Sequence, residues 1–158
     1  MKQILFVLFT ITMLACGGGD PAPTPTPPPP TVNVATLVKK VWTASSVQWD
    51  GVTKYEKSGT SNVVQGYSQY KLDLSNASNV TLTEFDGKIF TGTYTVATDG
   101  KSLTLSGLTS AEGAPTGSNG TIVYTILSTP TATALSLQQT TAYVKASSAI
   151  VKLGLVAP

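Results

Sequence analysis

The sequence predicts an all-β domain that closes as an antiparallel up-and-down barrel of about eight strands, behind an export signal and a proline-rich stalk. Three observations predict it. Apolar and polar side chains alternate at period two through most of the chain after Thr31. Asp50-Gly51, Asp86-Gly87 and Asp99-Gly100 stand between alternating runs, where Asp-Gly supplies the positive φ that tight hairpin turns need, so successive strands pair antiparallel. At 158 residues the chain has room for one core and too little for two.

Residues 1–15 read as a signal peptide. Met1-Lys2-Gln3 is a short basic start, and Ile4 to Ala15 is apolar apart from Thr10 and Thr12. About a dozen residues span roughly 18 Å as a helix against a hydrocarbon core of about 30 Å, too short for a transmembrane anchor. Residues 16–32 hold Cys16, the run Gly17-Gly18-Gly19, then Pro21, Pro23, Pro25 and Pro27 to Pro30. Proline removes donors and fixes φ near the polyproline value, so this segment is a semi-rigid spacer of about 3 Å per residue. A ligand for a proline-reading module is the functional alternative.

The folded domain covers residues 33–158. One short helical turn is expected around Leu37 and Val38. Strands follow at Val41–Trp49, Val52–Lys57, Tyr67–Ser75, Asn79–Phe85, Lys88–Ala97, Ser102–Ser106, Thr121–Ser128 and Ala134–Thr140, with a ninth candidate at Ile150–Leu155. Alternation is clearest in Tyr70-Lys71-Leu72-Asp73-Leu74 and Phe90-Thr91-Gly92-Thr93-Tyr94, which places one face in a core and one in water. So many half-buried strands must curl into a barrel or a two-layer sandwich, and consecutive short turns favour the barrel. Thr109–Gly120 is the one long loop, either a gate over a barrel mouth or a plain surface loop.

Composition removes most familiar chemistry. The chain has no histidine, no arginine, one cysteine, and ten lysines against eight carboxylates. Ser-His and Cys-His nucleophiles, histidine zinc sites and an imidazole base near neutral pH are excluded. Without arginine, and with a net charge of +2, a nucleic-acid partner is not expected. No cofactor or metal signature is present: Asp99-Gly100-Lys101 offers one carboxylate beside a lysine, a poor calcium loop.

Met13-Leu14-Ala15-Cys16-Gly17 resembles the lipobox of bacterial lipoproteins. The resemblance implies a diacylglyceryl group on the Cys16 sulfur, cleavage before Cys16 and acylation of its freed amine. A secretory signal that leaves Cys16 as a free thiol is the alternative, but a lone exported thiol has no internal partner. Two or three acyl chains, at about 0.8 kcal/mol per buried CH2, would anchor the protein stably. Gly17 stands where an Asp would imply inner-membrane retention, so the resemblance implies the outer membrane, with the side it faces left open.

Leu37-Val38-Lys39-Lys40-Val41-Trp42, Asp50-Gly51, Gly92-Thr93-Tyr94, Asp99-Gly100-Lys101-Ser102-Leu103-Thr104-Leu105 and Leu135-Ser136-Leu137 are together similar to the small lipocalin-like lipoproteins of Bacteroidetes. That resemblance implies a calyx-shaped barrel that binds a small apolar molecule, and it carries over no catalytic residue. Tyr70, Phe90, Tyr94 and Tyr124 are the candidate ligand-binding residues, lining a cavity of several hundred Å³ if they do not simply fill the barrel, as small eight-stranded barrels often are filled. Trp42, opening the first strand, is expected to plug the floor. Asp73, Glu84 and Asp86 are expected on the solvated face or in a turn, against a glycosidase-type pair. Threonines at 81, 83, 91, 93, 95, 131 and 133 suit the wet face of a strand better than a flat binding array. A stalk-displayed module that docks a protein or glycan through loops or an edge strand is the competing, equally non-catalytic reading.

Overall fold

A computed structural model describes residues 32–158; the expected signal peptide, Cys16 and all but the last residue of the expected linker lie outside the described residues. Asn33 caps a one-turn helix, α1 (Val34–Leu37), its side chain accepting the Thr36 amide. Nine strands follow: β1 (Val41–Trp49), β2 (Val52–Glu56), β3 (Lys71–Asp73), β4 (Asn79–Thr83), β5 (Ile89–Val96), β6 (Ser102–Thr109), β7 (Ile122–Ile126), β8 (Ala134–Gln139) and β9 (Val151–Val156). The ninth candidate is therefore a strand.

Every pairing is antiparallel, and β9 returns to β1, from Thr43↔Val156 to Trp49↔Val151, which closes the sheet. The barrel thus replaces the sandwich. β1 carries two partners on one edge, β2 along Ser46–Trp49 and β3 along Val41–Thr43. β2 and β3 are one strand position interrupted by residues 57–70, so of nine strands eight positions form the ring. That interruption corrects the expected strand Tyr67–Ser75, because Gln65–Gln69 is a 3-10 turn and only Lys71–Asp73 pairs. Tyr67 and Tyr70 both point inward at a spacing of three, the period at which 3-10 side chains eclipse.

Period two also slips at bulges. In β1, Trp42 and Ala44 face inward and then Val47, with the shift between Ala44 and Ser46. In β6, Leu103 and Leu105 are followed inward by Leu108, after Gly107 takes up φ 62°. The expected end of that strand at Ser106 is therefore extended to Thr109.

One end of the barrel is a floor. Trp42 is fully buried there, and its indole Nε1 donates to the Val38 carbonyl at 2.8 Å. α1 packs beside it, where the Val34 side chain would contact a Cβ at Gly100. The described domain begins at this end. The opposite end, the mouth, carries Asp50-Gly51, the 3-10 turn Gln65–Gln69, Asp86-Gly87, residues 110–121 and residues 140–150. Between floor and mouth, Leu72, Leu74, Val80, Leu82, Leu103, Leu105, Leu135, Leu137 and Leu153 are buried and fill the interior, as an eight-stranded ring permits. Among the described residues no helix is long and apolar enough to cross a membrane.

Candidate functional site at the barrel mouth

The mouth is capped by aromatic rings. Tyr67, carried by the 3-10 turn, packs against Phe85 with ring centroids 4.8 Å apart and against Tyr70 at 6.0 Å, while Trp49 Nε1 donates to the Tyr67 hydroxyl at 2.9 Å. Gly66 lets this turn settle on β4: a Cβ there would lie 2.0 Å from the Phe85 carbonyl oxygen. Gln69 Nε2 donates to that same carbonyl at 3.1 Å.

Beneath the cap the inner wall turns polar. In β4 the inward parity of Val80 and Leu82 continues to Glu84, which is 2 % exposed. This corrects the expected solvated position of Glu84. The expectation missed that the residue after the strand keeps facing the core. The Tyr143 hydroxyl donates to Glu84 Oε1, and the Lys145 ammonium, on a second 3-10 turn (Val144–Ala146), donates to Glu84 Oε2. Lys145 also reaches Asp86 Oδ2 at 2.7 Å and lies 5.5 Å from the Phe90 ring centroid. Burial by itself would lower the Lys145 pKa, but the two carboxylates outweigh it and hold the ammonium above its usual range. Burial likewise opposes ionisation of Asp86, yet Lys145 and the Lys88 amide keep its carboxyl below the ordinary value.

β8 behaves as β4 does. Leu135 and Leu137 face inward and Gln139 follows them, 6 % exposed. Gln139, Tyr70 and Tyr124 meet around a void of about 10 Å³ whose wall also includes Tyr67, Leu82, Glu84, Ile122 and Tyr143. That volume suits one water-sized group. Burial pushes the Tyr124 phenol up to about 12, and burial also raises Tyr70 well above the usual phenol value. Among the described residues the Tyr70 hydroxyl and Gln139 Oε1 have no hydrogen-bond partner, whereas buried polar atoms are usually paired.

Outside this void lies a cleft of about 340 Å³, bounded by Gly117, Ser118 and Thr121 on one side and Thr140, Thr141 and Ala142 on the other. Ile122, Gln139 and Tyr143 belong to both linings, so the cleft and the void adjoin at these side chains. The long loop is therefore one wall of the mouth cleft, folded by the Ser110↔Gly113 bridge and seated so that Gly117 adjoins Val144. A wider hollow of about 420 Å³ over Gln48, Asp50, Gly51, Gln138, Ile150 and Lys152 includes neither unpaired atom in its lining.

The four residues proposed from sequence are all buried, but they do not share one chamber. Tyr70 and Tyr124 line the void. Phe90 packs in the core beneath Lys145, and Tyr94 donates from its hydroxyl to the Leu74 carbonyl at 3.0 Å toward the floor. The expected cavity of several hundred Å³ is likewise corrected: leucines and aromatic rings occupy that space, leaving about 10 Å³. Tyr67, Gln139, Tyr143 and Lys145 escaped the sequence reading as site residues, and Glu84 was expected on the solvated face; inward parity alone would have placed Glu84 and Gln139 inside. Asp73 accepts from Ser75, and Asp99 accepts from the Lys101 amide, so each serves its own turn. Thr81, Thr91 and Thr109 are paired across β4, β5 and β6 on the outer wall, which curves with the ring.

Plugged floor, eight-position antiparallel ring and capped mouth define a closed up-and-down β-barrel. No family model and no curated protein matches the chain. Among solved structures, a lipocalin-like protein from Bacteroides uniformis ATCC 8492 aligns with a TM-score of 0.49 and 12 % identity, over 77 % of this chain and 99 % of that one.

Proposed function

We propose that this chain is a non-catalytic lipoprotein, anchored through Cys16 in the cell envelope at the outer membrane, whose barrel binds a small amphipathic molecule in the mouth cleft. The observation that carries the binding reading is the pair of unpaired buried atoms, Tyr70 Oη and Gln139 Oε1, set just behind a cleft of about 340 Å³. An orphaned buried polar group costs about 1–3 kcal/mol, and a barrel built only for rigidity would place apolar side chains there. The cleft falls within the roughly 300–1,000 Å³ of small-molecule sites. Its walls mix hydroxyls with Ile122, Val123 and Tyr143, which suits a molecule with both an apolar body and a polar group.

Support for the non-catalytic part comes from chemistry already engaged. Glu84, Asp86 and Lys145 are bound to one another, and the chain has no histidine. Native mass spectrometry of the full chain, purified from its own envelope, tests the reading. A small molecule should co-purify, and Thr140→Trp, which fills the cleft from its rim, should remove it. A chain that carries nothing and shifts no resonance with any amphipathic probe ends this reading.

The filled interior favours a second reading, in which the mouth loops dock a protein or glycan. Among the large exposed hydrophobics, Val52, Ile89 and Val144 belong to the mouth end and Val63 to the 57–70 insertion, while Val32 and Leu127 lie elsewhere. Cross-linking in the envelope should then recover one reproducible partner, and Val63→Asp with Val144→Asp should lose it.

A further inference from the structure

Building on the mouth-cleft reading, we infer that the polar group of the ligand is a neutral hydroxyl, seated between Gln139 Oε1 and the Tyr70 hydroxyl, and not a carboxylate. The donor and acceptor inventory decides this. Gln139 Oε1 can only accept, while a tyrosine hydroxyl both donates and accepts. One alcohol group serves both, donating to Gln139 and accepting from Tyr70. Both residues line the void, and both atoms are left unpaired among the described residues. The void of about 10 Å³ has the size of a single hydroxyl or water.

A carboxylate has no proton for Gln139 near neutral pH, so Oε1 would stay orphaned. It would also stand beside Glu84, which lines the same void. The cation on that wall is already committed, since Lys145 bonds Glu84 and Asp86. Among the described residues no lysine lines the void or the cleft. A cationic head fails for a different reason: it could donate to both atoms, but it would give up its water for two neutral acceptors, while Glu84 is already paired with Lys145.

The test uses the full chain in lipid nanodiscs, with empty nanodiscs as blank, and a matched pair of compact probes, cyclohexylmethanol and cyclohexanecarboxylate at pH 7. Ligand-observed NMR titration reads both affinities. The alcohol should bind at least about tenfold more tightly, the order expected when one analogue leaves a buried partner unpaired. Gln139→Leu should bring the two probes to within about twofold of each other, and Tyr70→Phe should weaken the alcohol alone; circular dichroism checks that each variant folds, and either variant suffices. Equal or tighter carboxylate binding, or unchanged selectivity in a folded variant, overturns the head-group inference while leaving the cleft reading intact. Binding of neither probe removes the cleft reading as well.

Discussion

The Tyr143 hydroxyl donates to the Glu84 carboxylate inside the barrel mouth, joining segments 59 residues apart in sequence. With Lys145 on the other carboxylate oxygen, this contact ties the β4–β5 turn to the connection between β8 and β9. Glu84→Ala removes the acceptor of both donors and leaves Lys145, half of whose work was to neutralise it, facing Asp86 alone. Urea unfolding should show a loss of about 2–4 kcal/mol, since breaking a buried pair costs more than the pair contributes. Tyr143→Phe, which spares the ion pair, should cost about 1 kcal/mol. Equal effects of the two substitutions would contradict the two-donor arrangement.

The 3-10 turn that closes the mouth depends on Gly66. A Cβ at this position meets the Phe85 carbonyl oxygen at 2.0 Å, a backbone atom that cannot swing aside. Gly66→Ala should therefore lift the turn and weaken the Trp49–Tyr67 hydrogen bond, while Trp42 at the floor keeps its packing. Acrylamide quenching of Trp49 should rise by about twofold or more in the variant, read against Trp49→Phe to isolate Trp42. Unaltered quenching would mean that the turn accommodates a methyl group without moving.

Sequence made the barrel legible because the parity of each strand survives over several residues. Val41–Trp49 ends where expected, since Asp50 and Gly51 both take positive φ and end the strand at the turn. Parity fails where one residue is inserted, at Ser45-Ser46 and at Gly107, and a bulge has no strong compositional mark of its own. The mouth was less legible for a different reason. Glu84 and Gln139 are polar residues at apolar positions, and their type overrode their place. Tyr143 and Lys145 belong to a 3-10 turn whose position depends on Glu84, a tertiary contact that local pattern does not encode.

Membrane attachment is tested at Cys16. Sulfur-linked lipidation has one possible site, because the sequence contains one cysteine. Cys16→Ser should abolish incorporation of labelled palmitate and move the protein from the detergent phase to the aqueous phase in Triton X-114 partition. Retention of label or of detergent partition in that variant would disprove lipidation at Cys16.

Stability against pH follows from the buried phenols and the mouth ion pairs. Burial raises Tyr67, Tyr70, Tyr94, Tyr124 and Tyr143 above the usual phenol value, with Tyr124 at about 12. A folded-state pKa above the unfolded one means the native barrel keeps protons that the unfolded chain releases. Stability is then unaffected below about pH 10 and falls as pH rises beyond it. Lys145, also raised, acts in the same direction: its contribution is complete below about pH 10.4 and is lost as pH climbs through its folded value. Asp86 has the opposite sign. Its lowered pKa contributes stability above about pH 3.9 that disappears as pH falls through the folded value. The expected profile is a plateau between about pH 5 and pH 10 with a steep alkaline edge. Measured in a Tyr55→Phe background, phenolate absorbance at 295 nm should stay low until the far-ultraviolet signal of the barrel collapses, and then rise in one cooperative step. Gradual phenolate formation near pH 10 in a barrel that remains folded would show that the tyrosines of the mouth are open to solvent.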